Sequence, residues 1–292
     1  MVGNISDNYG LHCNSGACAM SWSGGLIDWI ESDAAYISVV FSWQLQKAFQ
    51  RAVWYKIQGY KVMAGGPAVA NNPGFLSGVA EIGGHIEALS RHNPDAVFTT
   101  RGCIRKCPFC LVPKIEGDLI EIPDFEPKPI ICDNNLLAAS RKHFDLVVDK
   151  LKRIKQVDFN QGLDARLMTK HHAERLAELD LKAVRLAWDN TATEPQFMRA
   201  YKLLGDAGIS ARFIRVYCLI GYNDTPEDAL YRLKTVWALG SFPNPMRYQP
   251  LDAIKRNSFI GKHWTDRELK IYMRYWTKLR WLGHIPFKEY NG

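Results

Sequence analysis

The sequence predicts an α/β protein, with a partial (β/α)6 barrel preceded by a small Rossmann-like βαβ unit. Three observations lead there. Short apolar, β-branched runs alternate with helical stripes from Ala34 to about residue 250. The first strand–helix–strand set has the short turns of a crossover unit with a parallel strand pair. Six further strands with intervening chain then follow in order, which is the pattern of an α/β sheet with chemistry on the loops at the carboxyl ends of its strands.

Taken in order, residues 1–33 are glycine-rich and hold Cys13 and Cys18. They read as a loop, with a contribution to a second metal centre as the alternative. Tyr36–Phe41 is a buried strand. Ser42 is placed to cap the next helix, whose apolar stripe is Leu45, Ala48, Phe49, Ala52 and Val53. Gly59 ends that helix and Tyr60–Ala64 is the next strand. Gly65-Gly66-Pro67 then brings backbone close to a ligand or makes a tight turn.

Strands follow at Ala96–Thr100, Pro129–Asp133, Gln156–Asn160, Ala183–Trp188, Arg212–Ile220 and Pro245–Gln249. The helix after the second carries Phe144, Val147, Val148, Leu151 and Ile154 on one face. Later helices start near Thr169, at Glu194-Pro195 and at Thr225-Pro226, where Asp228 completes a near capping box. Residues 114–129 hold three prolines and no helical stripe. The expected divisions are 1–92, 93–250 and a basic, aromatic helical extension over 251–292.

The chemistry concentrates in Arg101-Gly102-Cys103-Ile104-Arg105-Lys106-Cys107-Pro108-Phe109-Cys110. Three thiolates spaced C-x3-C-x2-C can wrap one face of a compact cofactor and leave a position open, as sites built for chemistry do. Thiolates favour iron–sulfur clusters, and a cubane held by three of them keeps one iron for another ligand. A zinc site needs a fourth ligand, and the nearest candidate, Cys132, sits in an apolar run that reads as strand. A disulfide framework is disfavoured by an odd count of seven cysteines in 292 residues.

Composition narrows the class. The chain is 47% hydrophobic and 12% aromatic, so it is globular and not disordered. No apolar run reaches the roughly 18 residues that span a bilayer, and the N-terminal residues lack a secretory signal pattern. A cytoplasmic, reducing location without membrane association is expected. The net charge of +7 is compatible with polyanionic partners.

The cysteine spacing, with Phe109 just before the last Cys, resembles the signature of the radical S-adenosylmethionine superfamily. The resemblance implies a TIM-like barrel, a [4Fe–4S] cluster on Cys103, Cys107 and Cys110, and S-adenosylmethionine bound at its open iron. It also implies an electron donor of flavodoxin or ferredoxin type. Asp133-Asn134-Asn135 stands where that superfamily often carries Gly-Gly-Glu to hold the amino group of S-adenosylmethionine. Asp133, Asn134 and Asn135 can serve as acceptors there, or make an Asx-turn capping the next helix. After the third strand, Gln161 precedes a glycine, and Arg166 forks onto a carboxylate or pairs with Asp164. Asp189 after the fourth strand offers an acceptor for ribose hydroxyls. Ile220 and Gly221, in the run Gly221, Thr225, Glu227, Asp228, resemble the adenine-contacting strand, with Phe109 near the adenine. Cys218 reads as core.

Residues 36–67 resemble the later half of a cobalamin-binding domain, but its Asp-x-His-x-x-Gly ligand loop has no match: around His12, Gly10 and Ser15 replace Asp and Gly. Cobalamin is therefore not expected. The expected activity is reductive cleavage of S-adenosylmethionine to a 5'-deoxyadenosyl radical that abstracts hydrogen from a substrate the sequence does not name. The alternatives are a cobalamin-dependent methyltransferase or a methylthiotransferase-like enzyme and, from another class, a metal-stabilised nucleic-acid-binding module. The extension over 251–292 holds nine Lys/Arg against four Asp/Glu, with tryptophans and tyrosines interleaved. Its helix starts at the Thr265/Glu268 capping box, with an apolar stripe of Leu269, Tyr272, Met273, Trp276 and Leu279. A second face carries Lys270, Arg274 and Lys278, which reads either as a solvated edge or as a nucleic-acid surface.

Overall fold

The structure, a computed structural model, describes residues 22–83 and 88–292. His12, Cys13 and Cys18 lie outside the described residues. The chain divides into two compact units. One comprises residues up to Ala96 with Lys106–Gly117 and Gln249–Ser258; the other comprises Val97–Arg105, Asp118–Tyr248 and Phe259–Gly292.

The first unit is a four-stranded sheet in the order β1-β2-β3-β4, formed by β1 (Leu26–Glu31), β2 (Ala34–Val39), β3 (Lys61–Gly65) and β4 (Glu81–Ile82). β2, β3 and β4 pair in parallel, as strand–helix–strand connections require. Helix α1 (Leu45–Ile57) links β2 to β3 and buries Leu45, Ala48 and Ala52 of the expected stripe together with Tyr55, while Phe49 and Val53 are half-buried. β1 was not legible in the glycine-rich opening. It pairs antiparallel with β2 through a two-residue link in which Ser32 takes a positive φ of 56°. Trp29 stacks on its cross-strand neighbour Tyr36 at 5.3 Å.

One expectation is corrected here, and one open alternative is decided. Ser42 does not cap α1: it sits in a 3-10 turn (Ser42–Gln44) and its Oγ donates to the carbonyl of Ala253 at 2.5 Å. The Gly65-Gly66 turn serves packing, since Gly66 adopts φ 96° and a Cβ there would meet the Val39 carbonyl oxygen at 2.5 Å. Helix α2 (Pro67–Asn71) follows at once, and α3 (Leu89–His92) comes after the second gap in the described chain. His92 is buried between Ser38 Oγ at 2.9 Å and Ser23 Oγ at 2.5 Å, and burial pushes its pKa down to about 4.

In the second unit, β5 (Ala96–Val97) enters a six-stranded sheet. The antiparallel pair β6 (Thr100–Arg101) and β7 (Ile120–Glu121) replaces the continuous strand expected over residues 96–100. Between them lie the cysteines and one short helix, α4 (Val112–Ile115), so the proline-rich stretch after it carries no long helix. The sheet continues through β8 (Ile130–Ile131), β9 (Val157–Phe159), β10 (Leu181–Ala187), β11 (Ile214–Ile220) and β12 (Phe242–Arg247). Spatial order follows chain order from β5 to β12, and successive pairs from β8 onward are parallel. β12 contains Pro243 and Pro245 and lies at the sheet edge, where missing N–H donors leave no gap in a ladder.

The connecting helices are α5 (Arg141–Leu151), α6 (Lys170–Leu176), α7 (Glu194–Asp206) and α8 (Pro226–Ala238). Ser140, Thr169 and Thr225 cap α5, α6 and α8, the last with a complete capping box. Phe144, Val147, Val148 and Leu151 of α5, Phe197 and Leu204 of α7, and Leu233 of α8 pack on Val184, Leu186 and Val216 of the sheet. Helix α9 (Asp266–Thr277), with its Thr265/Glu268 capping box, adds Leu269, Tyr272, Tyr275 and Trp276 to the same core, and α10 (Leu279–Leu282) follows. No helix among the described residues is long and apolar enough to cross a membrane.

Candidate functional site

Alternation along β10 puts Val184 and Leu186 into the helix-covered core, so Arg185 faces the opposite side of the sheet. There Arg185 forms a buried ion pair with Asp158 of β9, and Nη2 donates to Asp158 Oδ2 at 3.0 Å. On the same face Tyr217 donates from its hydroxyl to the Asn160 carbonyl at 2.8 Å, and its ring lies 3.4 Å from where a Cβ on Gly162 would stand. A sheet face carrying a buried ion pair differs from the largely apolar helix side, and a charged residue inside the apolar run of β10 was its sequence signal.

The carboxyl ends of the strands carry most of the expected site residues. Asp133, just past β8, is buried, and its carboxylate reaches back to the start of the cysteine loop. Oδ1 accepts from the Thr99 and Thr100 N–H groups at 2.6 and 2.9 Å, while Oδ2 accepts the Thr99 hydroxyl. Burial raises its pKa and these donors oppose the rise. The carboxylate is thus committed within the protein and makes no cap on the following helix. His143 of α5 joins the same junction through the Thr99 carbonyl at 2.9 Å.

Asn135 is 2% exposed and donates from Nδ2 to Cys103 Sγ at 3.5 Å. The Arg105 N–H donates to the same sulfur at 3.3 Å. Its own Oδ1 is buried with no hydrogen-bond partner among the described residues. Asn134 is half-buried.

Beyond β9, Arg166 takes the pairing alternative: Nε and Nη2 donate to Asp164 Oδ1 and Oδ2 at 2.7 and 3.0 Å. Arg105 of the cysteine loop donates from Nε to the same Oδ2 at 3.0 Å. Burial pushes the Asp164 pKa up, but Arg166 and then Arg105 overcome it and hold the carboxyl below its ordinary range. Two guanidiniums on one carboxylate leave a net positive charge around Asp164. Gln161 is half-buried.

Asp189, past β10, has its Oδ1 sealed from solvent without a hydrogen-bond partner among the described residues. Burial lifts its pKa to about 6, with Arg232 and the Leu219 N–H pulling the other way. Arg232 is fully buried and was not anticipated. It donates to the Trp188 carbonyl at 2.9 Å and to Asp224 Oδ2 at 2.6 Å, fastening the end of β10 to the turn after β11. Its signal was an arginine within the buried stripe Ala229, Arg232, Leu233, Val236. Asp224 Oδ1 accepts the Gly221 N–H at 2.8 Å and the Trp264 Nε1–H at 3.2 Å. Gly221 takes φ 79° to make that turn. The Ile220 side chain is fully buried, and its carbonyl accepts the Tyr248 N–H at 2.8 Å.

The cysteine loop has the backbone its residues dictate. Gly102 adopts φ 71°, and Cys107-Pro108-Phe109-Cys110 forms a turn closed by the Cys110 N–H to the Cys107 carbonyl at 3.0 Å, with Pro at its favoured second position. Cys103, Cys107, Cys110 and Phe109 are all half-exposed. Cys132 and Cys218 are buried, and burial pushes each thiol up to about 12, so neither is a ready thiolate donor. Among the described residues, no group of three or more His, Cys, Asp or Glu side chains stands together as a metal-ligand set. The loop offers three thiols, the donor type and number that a three-thiolate cluster needs, and Cys103 Sγ already accepts two N–H groups. No protein-family model matches the chain, and no curated protein matches it.

Proposed function

We propose that this chain is a radical S-adenosylmethionine enzyme whose Cys103, Cys107 and Cys110 hold a [4Fe–4S] cluster, on a sheet that curves as a partial (β/α)6 barrel. The observation that carries the reading is a C-x3-C-x2-C loop set between β6 and β7, a few residues after the first strand of a sheet whose strands follow one another in chain order, as barrel strands do. A bound cluster of this kind supplies the electron that cleaves the sulfonium of S-adenosylmethionine, yielding a 5'-deoxyadenosyl radical for hydrogen abstraction.

The chain's own residues prepare that chemistry. The Arg105 N–H and the Asn135 amide donate to the Cys103 sulfur, and such bonds would tune the electron density of a cluster held there. Asn135 Oδ1 and Asp189 Oδ1 are buried acceptors awaiting donors, which an ammonium and a ribose hydroxyl would satisfy. Asp164 holds Arg105 and Arg166 as a fixed cationic edge for a carboxylate. Reducing equivalents would come from a flavodoxin- or ferredoxin-type donor, and cobalamin has no ligand loop to hold it.

Anaerobic reconstitution should load about four irons per chain, as a cubane requires. Changing Cys103, Cys107 and Cys110 together to Ala should abolish both the iron and the formation of 5'-deoxyadenosine under dithionite. A cluster retained by that variant, or stoichiometric zinc in the native protein, would refute the assignment.

A further inference from the structure

Helix α9 presents two unlike faces. Leu269, Tyr272, Tyr275 and Trp276 are buried in the core of the second unit. Arg267, Lys270, Arg274 and Lys278 are exposed. Their spacing of i, i+3, i+7 and i+11 gathers them within an arc of about 80° along about 16 Å of helix. The acids nearby are largely spoken for: Asp266 binds Lys270 at 2.6 Å and Arg247 at 3.0 Å, and Glu268 closes the capping box on Thr265. Among the described residues Arg267, Arg274 and Lys278 have no acidic partner. A cleft of about 330 Å³ lies along this face, lined by Asp266, Arg267, Lys270, Ile271 and Arg274 together with Asn291 and Gly292.

One turn beyond Lys278 stands Trp281, whose N–H donates to the Lys278 carbonyl at 2.8 Å and whose side chain is 76% exposed. An indole left this open is unusual among core-forming residues, because it forgoes the burial that normally stabilises it. Cations in a row with an open aromatic ring match the two demands of a single strand, which are phosphate neutralisation and a platform for an unstacked base. A membrane surface is a poorer match, because insertion needs the apolar face that α9 already spends inside the core.

We propose that the α9–α10 surface binds single-stranded nucleic acid, with Arg267, Lys270, Arg274 and Lys278 on phosphates and Trp281 stacked on a base. This surface does not depend on the reading of the cysteine loop. A duplex is disfavoured because its bases are not free to stack on the indole.

The test is fluorescence anisotropy with a labelled single-stranded RNA of about twelve nucleotides, its DNA counterpart, the corresponding duplex, poly-glutamate and anionic vesicles. The native chain should bind the single strands, with log affinity falling against log salt at a slope of about −2 to −3, as three to four neutralised phosphates give. Arg267→Glu, Arg274→Glu and Lys278→Glu together should weaken binding more than about tenfold and flatten the slope by about 2. Trp281→Ala should weaken binding about five- to a hundredfold with the slope unchanged, because stacking releases no counterions. That separation of affinity from slope survives even if the triple variant folds poorly, since one exposed ring is all that Trp281→Ala removes. The proposal falls if single strands do not bind at about 50 mM salt. It also falls if poly-glutamate, duplex or vesicles bind as tightly, or if Trp281→Ala binds as well as the native chain.

Discussion

Replacing Arg232 by Met tests whether the buried guanidinium organises the strand ends that carry Asp189 and Gly221. Arg232 is fully buried and makes two bonds, to the Trp188 carbonyl at 2.9 Å and to Asp224 Oδ2 at 2.6 Å. Methionine fills similar volume but leaves Asp224 Oδ2 without its guanidinium. Oδ1 keeps the Gly221 N–H at 2.8 Å and the Trp264 Nε1–H at 3.2 Å, so the carboxylate remains buried with half its support. Removing one partner of a buried ion pair costs about 3–5 kcal/mol. At about 2–4 °C per kcal/mol for a unit of this size, Tm should drop by about 10 °C in a calorimetric scan. Burial already raises the Asp224 pKa and Arg232 pulls it back, so Arg232→Met raises it further. A raised folded-state pKa disfavours the charged fold, so the deficit should be greatest above that pKa and should shrink as pH falls through it. Asp224→Asn combined with Arg232→Met should recover about 1–3 kcal/mol as coupling in a double-mutant cycle. A Tm change below about 2 °C, or a deficit that ignores pH, would refute the reasoning.

Asp164→Asn removes the carboxylate shared by Arg105 and Arg166, and the urea midpoint at neutral pH should fall by the equivalent of about 1–2 kcal/mol. Because the folded pKa of Asp164 is lowered, its contribution is present above the unfolded value of about 3.9 and is lost as pH falls through the folded one. The native chain should therefore lose stability more steeply than Asp164→Asn below about pH 4, and parallel acid profiles would count against the pairing. Gly66→Ala places a Cβ at 2.5 Å from the Val39 carbonyl in a backbone region that glycine alone adopts readily, so chemical denaturation should show a loss of about 2–3 kcal/mol. An unchanged midpoint would mean that the turn relaxes.

The helices were legible because their signals are local. Stripes at helical spacing, with Thr225 or Thr265 and an acid three residues on, fix where a helix starts and which face it buries whatever lies beyond. Strands of the second unit were found from apolar runs, but short ones shrank at both ends: Pro129–Asp133 became Ile130–Ile131, because ladder pairing and not side-chain pattern sets strand limits. The hairpin of β1 was hidden by flanking glycines, and the Ser42 cap failed because Ala253, more than two hundred residues away, captures the hydroxyl.

By itself the sequence determined the alternation of strands and helices, the three-cysteine loop and the two-faced terminal helix, since each is carried by residues near one another in the chain. Only the tertiary structure decided which polar groups are spent and which stay open. Asp133 is committed to Thr99 and Thr100, and Arg166 to Asp164, while Asn135 Oδ1 and Asp189 Oδ1 remain buried acceptors. A hydrogen bond depends on atoms brought within about 3 Å by packing, and for these groups the partner comes from another strand or loop. Residue type reveals that a side chain can bind; the fold settles what it already holds.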